Sequence, residues 1–310
     1  MKATIIKKAT LDEIPSASGI EVINGIIYII GDDSPYLFAL NQDLKIINKI
    51  KLYEPAEIGN DGRIPKLLKS DLECMSVLSI NNFPYLLILG SGSRSPQRDV
   101  AFLVKLPTNY NKKHLVFNAY VKDLYDLLRS NEEIVAEGEL NLEGAATGKE
   151  HFILFNRSSG GSKNAALYFK LEEFVEYIQG HTEMTPFPTV YNYELSSLNN
   201  VLSGFSGGCV FEEKVFFSAS VENTSNAFDD GEIIGSYIGW MKEEDLYTNN
   251  EIDKVYKPKG IVLLEENGSP FKGKIESITI LEKDAPTYIA LAVTDNDSPT
   301  SELLMLEIEL

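Results

Sequence analysis

Two cysteines in 310 residues, Cys74 and Cys209, are too few and too far apart for a disulfide framework or a zinc cluster. There are only three histidines, His114, His151 and His181, and all precede Ser206. Gly204-Phe-Ser-Gly-Gly208 therefore cannot open a Ser…Asp…His triad, and the apolar run after its serine reads as a strand where a nucleophile elbow needs a helix. Basic residues are short as well, 28 Lys and Arg against 46 Asp and Glu, for a net charge of −18. That balance repels nucleic acid and anionic membranes, so neither is expected as a partner. No run of 18 apolar residues exists to cross a bilayer as a helix. The N-terminal stretch MKATIIKKATLDEIP reaches Asp12 and Glu13 before an apolar core forms, so it does not read as a secretory signal. A cytoplasmic monomer is the expectation. Helical periodicity is scarce too, confined to Val121–Arg129, Leu171–Gln179 and Lys242–Leu246.

What fills the chain is short runs of Ile, Val, Leu, Tyr and Phe punctuated by Gly, Asn, Asp, Ser and Pro, the pattern of strands joined by turns. Gly19–Ile23, Ile26–Ile30, Tyr36–Leu40 and Lys45–Leu52 form a first meander, its opening hairpin marked by Asn24-Gly25. A second runs through Glu73–Ile80, Tyr85–Leu89, Val100–Leu106 and Leu115–Val121. A third uses Leu142–Thr147, Phe152–Asn156, Ala165–Leu171 and Thr189–Leu195. A fourth uses Gly207–Phe211, Val215–Ser220, Ile233–Trp240 and a strand near Asp253–Leu264. The last unit, Glu276–Leu281, Tyr288–Val293 and Leu303–Leu310, is one strand short, while Ala3–Lys8 has no partner of its own. Pairing these termini closes a ring and hides the last edge. The expectation is an all-β, five-bladed β-propeller with four-stranded blades, forming one domain over residues 1–310, with about 62 residues per repeat.

Each innermost strand begins with a small polar signature: Ser16-Ala-Ser-Gly-Ile20, Asp71-Leu-Glu-Cys-Met75, Asn141-Leu-Glu-Gly-Ala-Ala146, Gly204-Phe-Ser-Gly-Gly208 and Lys274-Ile-Glu-Ser-Ile278. Ser18, Glu73, Glu143, Ser206 and Glu276 recur in steps of 55, 70, 63 and 70 residues. Innermost strands surround a propeller's channel, so the five oxygen-bearing side chains converge if the fold is right. Carboxylates about 5 Å apart repel by roughly 3 kcal/mol per pair at an effective dielectric near 20. Either their pKa values rise or a cation sits among them, and an all-oxygen set suits Ca²⁺. The alternative is that each Glu caps backbone amides or binds channel water.

These motifs resemble those of the calcium-activated nucleotidases (apyrases), five-bladed propellers whose channel calcium is held by one residue per blade in the order Ser, Glu, Glu, Ser, Glu. Ser18 stands in a Ser-x₅-Asn-Gly-x₂-Tyr pattern like that family's first blade, with Asp32 in the matching turn. Glu73 looks like the second ligand, and Glu143 in Glu-Gly-Ala-Ala resembles the third. Ser206 in Gly-Phe-Ser and Glu276 in Lys-Ile-Glu-Ser-Ile resemble the fourth and fifth, and Gly235-Ser-Tyr-Ile238 is similar to a fourth-blade segment. Bacterial phytase-like propellers have similar Glu-Gly-containing inner strands. The resemblance implies a Ca²⁺ cofactor held by Ser18, Glu73, Glu143, Ser206 and Glu276.

Chemistry on phosphates needs cations and a placed acid or base. The turns after each second strand offer Asp32 and Asp33, Ser91 to Arg94, Asn156 and Arg157, Glu222 and Asn223, and Asp295 to Asp297. From these, Asp32, Arg94 and Arg157 are the candidate catalytic residues, the arginines as bidentate phosphate clamps. The chain departs from the nucleotidases at Gly90–Pro96, which lacks Glu-Trp-Thr, and at Asn156–Ser162, which has one arginine where they have several. The expected function is thus a structural-calcium propeller that binds a small-molecule ligand or a protein partner, with a calcium-dependent phosphohydrolase as the alternative.

Overall fold

In the computed structural model, residues 1–107, 113–223, 231–243, 254–295 and 299–310 are described. Five antiparallel sheets form the blades of a β-propeller. Blade one is Ala17–Ile23, Ile26–Gly31, Tyr36–Leu40 and Ile46–Lys51. Blade two is Leu72–Ile80, Phe83–Gly90, Ala101–Lys105 and Leu115–Ala119. Blade three is Leu142–Thr147, His151–Asn156, Ala165–Lys170 and Thr189–Tyr193. Blade four is Gly204–Phe211, Lys214–Asn223, Glu232–Lys242 and Gly260–Leu263. Blade five joins Lys274–Asp284, Thr287–Asp295 and Ser301–Glu309 to the N-terminal strand Lys2–Leu11. That last pairing is antiparallel from Lys2–Glu309 to Leu11–Ser301, and it closes the ring as the unpartnered terminal runs require.

Alternating strands turn one apolar face to each neighbouring blade, so the core is divided among five interfaces. Tyr28, Leu37 and Ile50 of blade one meet Met75, Leu86 and Phe102 of blade two. Phe155, Tyr168 and Tyr191 of blade three meet Phe205 and Phe217 of blade four. Blades four and five share Phe216, Ile238, Ile278 and Tyr288, and blades five and one share Leu291, Leu303, Ile29 and Phe38. Between blades two and three, helices Lys122–Arg129 and Leu171–Ile178 add Leu124, Tyr125, Leu128, Phe174 and Tyr177 to the core. Cys74 and Cys209 are buried thiols in this packing.

Two local expectations need revision, and one element was not expected. Lys242 ends a strand of blade four rather than opening a helix, and Glu244–Leu246 lie outside the described residues. A short helix, Glu132–Val135, was not legible, because four residues are too few to show a period. The run expected as one strand near Asp253–Leu264 is divided: Asp253 lies outside the described residues, Val255–Tyr256 pairs in parallel with blade three, and only Gly260–Leu263 joins blade four. Among the described residues no helix is long and apolar enough to cross a membrane.

Candidate functional site

Every innermost strand carries a register shift against its neighbour at the same place. The shifts fall between Ala17 and Gly19, Leu72 and Cys74, Leu142 and Gly144, Phe205 and Gly207, and Ile275 and Ser277. The extra residue is in turn Ser18, Glu73, Glu143, Ser206 and Glu276, the five positions the repeat spacing singles out. A β-bulge breaks the in-and-out alternation and re-aims one side chain. Five equivalent bulges thus give five equivalent side chains at the start of the inner strands.

Ser18 and Ser206 play one structural part. Ser18 Oγ donates to the carbonyl of Leu72, and Ser206 Oγ to that of Ile275, each at 2.5 Å. Each serine ties its inner strand to the next blade, at the residue preceding the next glutamate. With their protons committed, both hydroxyls keep lone pairs as what they can offer the channel. Glu143 and Glu276 are 7% and 3% exposed, whereas Glu73 keeps partial exposure to the cavity. Glu143 accepts from Asn141 Nδ2 at 2.5 Å and lies 3.7 Å from Arg157 Nη1. Glu276 Oε1 is 2.7 Å from Lys274 Nζ, while its Oε2 is buried without a hydrogen-bond partner. Burial, with the charges of Glu143 and Asp71 added, pushes Glu73 well above the ordinary carboxylate range. Burial also raises Glu143 against the pull of Arg157, and raises Glu276 to about 8 despite Lys274.

Of the five, Glu73 and Glu143 line a cavity of about 730 Å³ at the end where the inner strands begin, while Ser18, Ser206 and Glu276 are not among its lining residues. Asp32 and Arg157 line it, as do Asp33, Glu222 and Asp295 from the same set of turns. Asp297 lies outside the described residues. Arg94 is exposed and does not line the cavity; Arg98, four residues on, does, and it is ion-paired with Asp71. Sequence reasoning missed Arg63, Lys69, Arg98 and Lys274, which the structure brings to the same mouth. Lys69 bridges Asp32 and Asp71, the latter at 2.8 Å. Burial pulls Lys69 down, but Asp32 and Asp71 more than offset it and hold its ammonium group well above the usual lysine range. Arg157 reaches Glu222 at 2.7 Å, and Lys274 approaches the same carboxylate at 3.9 Å. Among the described residues the acidic group whose oxygens lie within 4.8 Å of one another is Asp32, Asp71 and Glu73; of the five bulge positions it contains Glu73 and not Glu143 or Glu276. The described lining holds no His, Cys or aromatic residue, so carboxylates are its available bases and guanidinium and ammonium groups its anion donors.

One inner-strand acid was passed over entirely. Glu21 lies three residues along from Ser18, with Thr279 Oγ1 of blade five at 3.4 Å, and burial raises it to about 8.

The whole-chain resemblance among solved structures is one of fold. A glutaminyl cyclase from Myxococcus xanthus superposes with a TM-score of 0.50 at 7% identity, over 99% of this chain and 97% of that one. The Bacillus subtilis arabinanase Arb43A gives 0.45 at 10% identity, over 98% and 95%. A search of curated proteins finds no match. The profile of one sequence family covers residues 13–308, which include all five bulges and the whole cavity lining, and the chain therefore belongs to the family of unknown function DUF6929.

Proposed function

We propose that this protein is a calcium-binding propeller whose ion pins the inner strands together and whose cavity, at the channel mouth, takes a small-molecule ligand or a protein partner. The observation that carries the reading is the ring of five bulge-borne oxygens, in which Glu276 Oε2 has no hydrogen-bond partner and both serine protons are committed elsewhere. A buried carboxylate oxygen left unpaired is costly, and a cation among the ring oxygens offsets that cost. Charge balance supports it. The ring and the ion pairs attached to it contain six carboxylates (Asp32, Asp71, Glu73, Glu143, Glu222, Glu276) and four cations (Lys69, Arg98, Arg157, Lys274). With all six carboxylates ionised, the excess of two negative charges matches one divalent ion. Donors that are all carboxylate and hydroxyl oxygen favour Ca²⁺ over a softer metal. Native mass spectrometry is expected to find one calcium per chain, and none in Glu143→Gln; a wild-type protein without calcium after exposure to it would overturn the reading.

The second reading is a calcium-dependent phosphohydrolase, as the resemblance to nucleotidases and phytase-like propellers implies. What favours it is the collection of Arg63, Lys69, Arg98, Arg157 and Lys274 at one mouth, richer in cations than the sequence order suggests. In that reading Asp32 orients the attacking water and Arg157 holds a phosphate oxygen pair, with Arg98 in the part expected of Arg94. Calcium when bound would neutralise charge on the phosphoryl group. Phosphate release from a panel of nucleotides and sugar phosphates is the test. Turnover that chelator stops and that falls about 100-fold in Arg157→Ala supports hydrolysis; no release from any member leaves binding alone.

A further inference from the structure

Three carboxylates crowd the cavity between blades one and two. Asp32 follows the second strand of blade one, while Asp71 precedes and Glu73 belongs to the inner strand of blade two. With one oxygen of each inside 4.8 Å, the group repels itself unless a cation sits among them. The chain supplies one. Lys69 Nζ contacts Asp32 Oδ2 and lies 2.8 Å from Asp71 Oδ1. The other oxygen of Asp71 is held separately, by Arg98 and by Ser91 Oγ at 2.5 Å, so Asp71 is fixed in place whatever Lys69 does.

An ammonium group fills this place incompletely. It brings a single charge, and Asp32 Oδ1 remains buried without a hydrogen-bond partner. Asp33, next along the chain and also on the cavity lining, is only 3% exposed, and its Oδ1 is buried without a partner too. A hydrogen-bond donor needs room about 2.7–3.2 Å from such an oxygen. A bare calcium ion sits closer, at about 2.3–2.6 Å, and accepts both oxygens of one carboxylate. Oxygens out of reach of water therefore suit an ion better than a hydroxyl or an amine. Lys69 is also placed to withdraw. It lies on the connection between blades one and two, just after a turn in which Leu68 N donates to the carbonyl of Pro65 at 2.7 Å, and Leu67 and Leu68 in that turn are exposed rather than packed on a blade. Charge, not apolar packing, keeps this stretch of chain on the site.

We propose that Asp32, Asp71 and Glu73 form a second divalent-cation site, suited to Ca²⁺, and that Lys69 is a tethered cation that competes with the ion for it. The site shares Glu73 with the ring but does not require the ring to hold calcium. Lys69→Met removes the competitor and keeps an unbranched side chain. Under conditions that load one calcium on the wild type, native mass spectrometry is expected to find two on Lys69→Met. Lys69→Met/Asp32→Asn should return to one, because the second site has lost a ligand charge, and Lys69→Met/Glu143→Gln should keep one, because only the ring ion has gone. A wild type with no calcium beside a Lys69→Met protein with one would sink the ring and uphold this site. A Lys69→Met protein that holds no more calcium than the wild type, or a Glu143→Gln change that removes both ions, would overturn the proposal. Should Lys69→Met fail to fold, the wild type decides. Below saturation the displaced fraction of Lys69 follows free calcium, so at constant ionic strength each tenfold rise in calcium should raise its acylation by an amine-reactive ester about tenfold, while exposed Lys45 labels at a constant rate. Lys69 labelling indifferent to calcium would overturn the competition.

Discussion

Calcium is expected to raise the melting temperature of chelator-treated protein, and Glu143→Gln to abolish the rise. At a hundredfold excess over the dissociation constant, binding to the folded state alone contributes about 2.7 kcal/mol. For a chain of this size that is about 5 °C. The variant should still fold, because Arg157 keeps its contact with Glu222 at 2.7 Å when the Glu143 charge is gone. The effect depends on pH with a definite sign. Burial raises Glu276 from 4.5 to about 8 in the metal-free fold, so between those values the folded state holds a proton that the unfolded chain releases. Metal-free stability therefore falls as pH rises through this window. Calcium binds the ionised ring and must displace that proton, so its affinity and its stabilisation both grow from pH 6 to about 9. Thermal unfolding with calcium or chelator across this range is the measurement. Equal melting temperatures in the two conditions at every pH would remove the ion from the ring.

Gly207→Ala is expected to cost more than about 4 kcal/mol. A Cβ at Gly207 would lie 2.5 Å from the carbonyl oxygen of Glu276 and 2.7 Å from the Cα of Ser277. On the other side, a Cβ at Gly144 would lie 2.8 Å from the Cα of Gly207. Inner strands of blades three, four and five thus touch backbone to backbone beside the channel. No flexible side chain is there to yield, so the strands themselves must part. Because Glu276 belongs to the displaced segment, the same substitution should weaken calcium binding. Urea unfolding measures the first effect and calorimetric titration the second; a loss below about 1 kcal/mol would show that the channel is looser than these distances imply.

Both predictions converge on residues that repeat along the chain, and repetition is what made them readable. Strand alternation, the Asn24-Gly25 turn and the two unpartnered terminal runs together specify a closed ring of meanders, because each feature reflects a local backbone preference or an edge that must be covered. The five ring positions follow from the same periodicity. Their mechanism does not: a bulge is one residue of register between two strands, visible only when both are paired, and it is the bulge that re-aims Ser18, Glu73, Glu143, Ser206 and Glu276.

The cations around the ring were a matter for tertiary structure. Lys69 and Arg63 come from the connection between blades one and two, Arg98 from a turn of blade two, and Lys274 from the first residue of an inner strand. No spacing relates them, and each reads alone as an ordinary surface charge. Their depth in the cavity follows from how the blades close around it, which is also why exposed Arg94 and lining Arg98, four residues apart, have different surroundings. The sequence accounts for −18 as a total. Ring closure decides where that charge is balanced. It gathers acids and cations together at one end of the channel, because there the inner strands of the blades begin side by side.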